Sequence, residues 1–362
     1  MNARETVVEM SARFGERVPQ MADSDAFVAA NYDELRASGL LAAGVPRELG
    51  GQGMELPELA EMLKTMARSC SSTALAFSMH THIVAVAAWR WRHQKAPTAP
   101  LLERVARDKV VLISTGGGDW LESSGDAVAA DGGYRVTARK AFCSGVPAGD
   151  VLVTSAVVRD KGEVIHFGVP LKAAGVRIEP TWQTLGMRNT ASHDAVLEGV
   201  QVADAAITLR RPVGKWHPLF DMLCLLALPL VYAVYVGVAQ AARERALEMV
   251  RKRAKGDVLQ QIGEMENQLA LAQLAHADWI ACAVEGKPGR ESTSRSMVDR
   301  TLVARGVLGT VDAAMNAAGG AAFFRRHGLE QLFRDAQGAR FHPLQEGPQR
   351  TLSARVALGL EL

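Results

Sequence analysis

The stretch GGYRVTARKAFCSGV, Gly132 to Val146, decides how the chain is read, because it interrupts a helical rhythm that holds on both sides of it. It joins VLVTSAVV (Val151 to Val158), EVIHFGVPL (Glu163 to Leu171) and AVLEGVQV (Ala195 to Val202) in a set of short runs rich in Val and Ile, separated by Gly, Asp or Pro. That is the pattern of antiparallel strands. From about Lys109 to Leu209 the sequence predicts a small β-barrel or sandwich.

Upstream, DAFVAANYDELRASGLL places Phe27, Val28, Tyr32, Leu35 and Leu40 at helical spacing. VPRELGGQGM breaks that run, and ELPELAEMLKTMARS opens a second helix with acidic residues in its first turn, as the helix dipole favours. STALAFSMHTHIVAVAAWRW follows, with a predicted Ser/Thr cap. Downstream of Pro212 helices resume: Val258, Ile262, Met265, Leu269, Ala272 and Ile280 form one stripe, and a further helix is predicted from Ser296 to Ala318, ended by Gly319 and Gly320. The predicted units are a helical domain over 1–108, a β-domain over 109–213 and a helical bundle over 214–362.

MLCLLALPLVYAVYVGVAQAA, Met222 to Ala242, is uncharged and reaches the roughly 20 residues that span a bilayer. It contains Pro229, two tyrosines and Gln240 and runs directly into charged helix. A helix buried on most faces inside a bundle is therefore expected, with a membrane span as the alternative.

In 362 residues, 41 Lys and Arg face 39 Asp and Glu, and no block of like charge exceeds RKRAK at Arg251 to Lys255. That run reads as a solvated helix face, and nucleic-acid binding is not indicated. Cys70, Cys143, Cys224 and Cys282 lie far apart without zinc-ligand spacing, so no disulfide framework or structural metal is expected. A reducing cytoplasm is the expected compartment, and the N-terminus lacks the apolar core of a secretory signal.

Dinucleotide, Walker and serine-hydrolase signatures are missing. His80 and His82, two apart on a predicted helix, face different directions and read as packing or cleft histidines rather than a metal pair. STGGGDWLESSGD, Ser114 to Asp126, exposes backbone amides beside hydroxyls; it suits an anion, and a tight loop explains it equally well. Trp89 and Trp91 alternate with Arg90 and Arg92, a ligand entrance or simply a helix end, and receive no role.

Four stretches in order resemble the acyl-CoA dehydrogenase superfamily of FAD flavoproteins: VPRELGGQG, GGYRVTARKAFCSGV, LGMRNTASHDAVLEGVQV and NAAGGAAFFRRHGLEQLFRDA. The resemblance implies a mainly α protein with a central β-domain: an N-terminal helical domain, a middle β-barrel and a C-terminal four-helix bundle. It also implies a homodimer or homotetramer with FAD at a subunit interface. By the same resemblance Phe142, Cys143 and Ser144 lie against the flavin ring, with the Ser144 hydroxyl near N5. Thr115 and Ser124 would sit near pyrophosphate or ribityl groups, and Arg251, Gly319 and Gly320 near the partner subunit's FAD. Ala254 stands where the family has a phenylalanine, which puts adenine binding in doubt.

α,β-Dehydrogenation of an acyl-CoA thioester needs a carboxylate to take the α-proton. Without a gap, FRDAQGARFHPLQEGPQR places His342 and Pro343 on the family's Tyr-Glu pair; a three-residue insertion places Glu346 there instead. Asp221 is the nearest acid to the first bundle helix. The leading expectation is dehydrogenation with Glu346 as base and electrons passed to an electron-transfer flavoprotein. The alternative is a two-component monooxygenase, resembling dibenzothiophene monooxygenase and nitrososynthase-like members, in which Ser144 and His342 support the reaction of reduced flavin with O2. FMN and a flavin reductase go with that alternative. A catalytically silent flavin-binding homologue is the third reading.

Overall fold

The computed structural model describes residues 3–21, 24–115, 119–252, 255–285 and 287–362. Gly116, Gly117 and Gly118 of the predicted anion loop, and Ala254, lie outside the described residues. Five helices come first: α1 (Ala3–Met21), α2 (Ala29–Ser38), α3 (Leu56–Ser69), α4 (Ser71–Gln94) and α5 (Ala99–Asp108). Glu58 holds the start of α3 by accepting from the Glu55 amide at 2.9 Å. The Ser/Thr cap expected at α4 is not used: Cys70 is the N-cap without a side-chain bond, and the Ser71 hydroxyl points inward to Asp335.

The β-region holds β1 (Leu112–Ser114), β2 (Asp126–Ala130), β3 (Gly133–Lys140), β4 (Val151–Val158), β5 (Glu163–Pro170), β6 (Val176–Glu179), β7 (Asp194–Ala203) and β8 (Ile207–Pro212). They form one sheet in the order β6-β7-β3-β2-β4-β5-β8, with β1 beside β4. Most pairings are antiparallel, but β1 and β2 both run parallel to β4. β3 alternates as a half-buried strand must: Tyr134, Val136 and Ala138 are buried, while Arg135, Thr137 and Arg139 face out. The same alternation buries Lys140, whose ammonium therefore needs an internal partner.

The C-terminal part comprises α6 (Pro218–Met222), a π-helical turn (Leu223–Ala227), α7 (Leu228–Val250), α8 (Asp257–Val284), α9 (Arg290–Ala318), α10 (Leu329–Ala336) and α11 (Glu346–Ala357). Pro229 sits in the first turn of α7, where its missing N–H leaves no bond unmade. The apolar run is this helix: the most apolar 18 residues of segment 218–250 have a mean hydropathy of 2.3 and are 94% buried, packed against α3, α4, α8 and α9. Its length and composition would also suit a bilayer, but here the apolar surface is spent on neighbouring helices. Of the stripe read from sequence on α8, Met265, Leu269 and Ala272 are buried and Val258, Ile262 and Ile280 half-buried, and the buried face continues through Ala275 and Trp279.

Candidate functional site at the junction of sheet and bundle

Two of the family-like stretches meet through backbone. A side chain at Gly186 would collide with the Arg334 carbonyl oxygen, 2.2 Å from where its Cβ would stand, so only glycine lets the 185–188 turn lie on α10. Asp335, buried, completes the joint: it accepts from the Met187 amide and from the Ser71 hydroxyl of α4. The RDA and LGM sequences thus lock α4, α10 and the turn before β7 together. Burial raises the Asp335 carboxyl above its ordinary range, against the pull of these two donors.

That turn carries a chain of hydroxyls to Ser144. Thr190 Oγ1 donates to the Met187 carbonyl at 2.9 Å, and Ser192 Oγ lies 2.7 Å from Thr190 and 2.7 Å from Ser144. Each hydroxyl has one hydrogen, so the carbonyl at the far end sets the direction: Ser192 donates to Thr190 and Ser144 donates to Ser192. Ser144 is then left with lone pairs, an acceptor toward the site. Beside it Phe142 adopts a left-handed φ of 60° and exposes its ring, edge-on to Trp182 at 6.0 Å. Cys143 is fully buried and donates to the Lys140 carbonyl; burial pushes its thiol up to about 12, so it is no nucleophile.

α4 links this edge to two histidines. Ala76 packs where a side chain on Gly145 would go, and further along the helix His80 and His82 point to different partners. His80 is a strut: Nδ1 accepts from the Leu112 amide at 3.0 Å and Nε2 donates to the Leu41 carbonyl at 2.8 Å. His82 reaches Ser114 with Nε2 at 3.3 Å, while its buried Nδ1 has no partner among the described residues. Desolvation, with repulsion from His80, holds His82 near 4.

His342 arrives from the other side, on the turn after α10. Its Nε2 lies 2.7 Å from the Tyr235 hydroxyl, and its carbonyl accepts from Arg300 at 2.8 Å. Arg300 also bonds the Ala339 and Arg340 carbonyls and lies over the Tyr232 ring, so α7 and α9 clamp the whole turn. Burial raises the Tyr235 hydroxyl well above its ordinary range, so it stays protonated, and because it meets no other acceptor among the described residues its hydrogen goes to Nε2; the imidazole hydrogen then belongs on Nδ1. Desolvation first, then Arg300 and His82, hold His342 near 4. Both histidines are neutral at pH 7; His342 feels Arg300 of α9 and His82 of α4, whereas His82 feels His80 on its own helix.

The remaining sequence-predicted residues separate. Ser124 belongs to a buried ion cluster, donating to Asp119 and accepting from Lys140 at 2.9 Å, with Lys140 2.9 Å from Asp119. Thr115 is half-buried just after β1, and Arg251 is exposed at the end of α7. Gly319 and Gly320 are exposed, and nothing among the described residues lies within 4 Å of a side chain built at either. Glu346 begins α11 at the surface, ion-paired with Arg305 and Arg350, and those arginines hold its carboxyl below the usual range. Asp221 accepts from Trp216 at 2.9 Å and from Thr293 at 2.6 Å. A cleft of about 770 Å³ opens between residues 183–188 and 323–334, lined by Leu185, Arg188, Phe323 and Phe333.

His82, Tyr235 and Asp335 were not singled out as site residues from sequence. The signal for His82 was its spacing from His80, which says that the two diverge but not which one faces the site.

Comparison with known proteins agrees with the geometry. The acyl-CoA dehydrogenase N-terminal domain model matches residues 2–102, and the acyl-CoA dehydrogenase C-terminal domain model matches residues 230–346. Amino sugar nitrososynthase DnmZ of Streptomyces peucetius is 28% identical over 347 residues, which cover 91% of this chain and 86% of its own. Dibenzothiophene monooxygenase of Rhodococcus qingshengii is 29% identical over 62% of this chain and 57% of its own. A structure of KijD3 with FMN and dTDP-3-amino-2,3,6-trideoxy-4-keto-3-methyl-D-glucose superposes with a TM-score of 0.88, at 25% identity over 99% of this chain and 93% of that one. With helical regions flanking a central sheet, and with both terminal domains matched, the chain belongs to the acyl-CoA dehydrogenase superfamily of flavin-dependent oxidoreductases.

Proposed function

We propose that the protein is the oxygenase component of a two-component flavin monooxygenase, taking reduced FMN from a separate flavin reductase and oxygenating a small organic substrate. The observation that carries this reading is the proton inventory of the site. Dehydrogenation needs a carboxylate across from the flavin. Glu346 is instead spent on Arg305 and Arg350, and Asp221 on Trp216 and Thr293. The polar groups left to serve the site carry no negative charge: Ser144 and the neutral His82 and His342 imidazoles.

These residues fit a flavin. Phe142 offers an exposed aromatic wall, Ser144 offers lone pairs to an N–H such as a reduced ring carries, and the orphaned Nδ1 of His82 wants a partner. When bound, reduced flavin supplies two electrons and, with O2, one oxygen atom to the substrate, the other leaving as water. The chain's part is to accept at Ser144, keep charge out of the site, and hold or return a proton at His342, whose Nδ1–H faces away from Tyr235. The DnmZ and dibenzothiophene monooxygenase relatives, and FMN in KijD3, support this reading over acyl-CoA dehydrogenation with FAD.

The test is direct. Under anaerobic conditions the oxidised flavin absorption of the FMN-loaded protein is expected to persist through a panel of acyl-CoA thioesters. Bleaching by any of them would restore the dehydrogenase reading.

A further inference from the structure

A second polar cluster lies where α4, β5, β8 and α6 converge. Arg211, 2% exposed, spends its guanidinium on the His166 imidazole at 3.0 Å, the Leu121 and Trp120 carbonyls at 2.7 and 2.5 Å, and its neighbour's carbonyl at 3.4 Å. None of these partners carries a negative charge. Lys140 is balanced by Asp119. Arg90, half-buried on α4, has a buried Nε with no acceptor among the described residues. Burial first, then the nearby Arg211, His217, Lys140 and Arg90, keep His166 neutral. Trp120, stacked on Phe220 at 5.1 Å, and Trp216, tilted against the same ring at 5.4 Å, wall the cluster.

Asp119 and Glu122 act on Arg211 from a distance without bonding it; burying guanidinium charge without a bonded counter-ion is costly, and the two-pronged donor of arginine matches an oxyanion. Arg90 stands eight residues beyond His82 on one helix, about 12 Å along its axis. The geometry points to an anion subsite at Arg90, backed by Arg211, which takes a phosphate, sulfonate or carboxylate carried by the organic substrate. The other end of that substrate reaches Ser144 and the two histidines. Calling the ligand a substrate rests on the oxygenation reading; the anion site itself does not. The competing source of the same chemistry is the phosphate of FMN.

The test uses the full-length protein loaded with FMN. Inorganic phosphate and methanesulfonate are titrated while tryptophan fluorescence, to which Trp120 and Trp216 contribute, and the heat of binding are followed. Saturable binding is expected, weakened roughly tenfold or more by Arg90→Gln and partly kept by Arg90→Lys. Flavin fluorescence should give an unchanged affinity for FMN in both variants. Equal anion binding by wild type and Arg90→Gln, or none by either, overturns the site. Weakened FMN binding with unchanged anion binding overturns its assignment to substrate. Because no turnover is read, failure here is distinct from failure of the oxygenation reading, which the thioester panel tests.

Discussion

Ser144 illustrates how a single side chain acquires a role through partners it does not share with the sequence motif. Its hydroxyl hydrogen is committed through Ser192 and Thr190 to the Met187 carbonyl, so the site receives an acceptor. Ser144→Ala should lower turnover about tenfold or more, the worth of one well-placed hydrogen bond, with substrate affinity little changed; steady-state rates at saturating reduced FMN check it. Glu346→Gln should leave turnover within roughly twofold, because it breaks only exposed ion pairs with Arg305 and Arg350, whose worth is small. A loss of activity in Glu346→Gln comparable with that of Ser144→Ala would revive the carboxylate base.

At the scale of elements, the site is a set of clamps. α7 and α9 hold the 337–342 turn through Tyr232, Tyr235 and Arg300, and α10 holds α4 and the 185–188 turn through Asp335. Tyr235→Phe removes the donor that fixes the His342 tautomer. We expect a roughly tenfold fall in kcat, a moved pH profile and unchanged FMN affinity. Asp335→Ala strands the Met187 amide and the Ser71 hydroxyl in the interior and should cost roughly 2–4 kcal/mol in denaturant unfolding.

These clamps also mark what could be read from sequence. Strand alternation in β3 and the apolar stripe of α8 were legible because burial imposes a period on them. The choice between Pro343 and Glu346 was not, since no period governs a turn. The cap expected at the start of STALAF, Ser72 and Thr73, falls inside the helix because α4 begins earlier, with Cys70 as its N-cap, and the Ser71 hydroxyl is held by a partner 264 residues away that no local pattern reveals. His82 was left unassigned beside His80 because a helix says that the two diverge, and only β1 and the Leu41 carbonyl say toward what.

Over the whole molecule, five histidines are kept neutral by burial: His80, His82, His276 and His342 near 4 and His166 near 3. Each binds its proton more readily unfolded, where the value is about 6.5, than folded. Their neutrality therefore stabilises the fold fully above pH 6.5, and that stability is lost as the pH falls through about 4. Thermal melts should be flat between pH 7 and 8 and drop by on the order of 5 °C by pH 5; a Tm that rises over that range would contradict the burial assigned to these rings. The largest consequence is functional: neutral imidazoles and a hydroxyl acceptor in place of a poised carboxylate suit oxygen transfer to a substrate better than removal of its α-proton. The measurement that bears on this most directly supplies the protein with FMN reduced by a separate reductase and ¹⁸O2, together with a panel of small organic test compounds that includes sulfur heterocycles and amino sugars. The account predicts a product carrying one ¹⁸O atom, with the rate reduced in Ser144→Ala; the same protein oxidising an acyl-CoA thioester to its enoyl product without taking up labelled oxygen would contradict it.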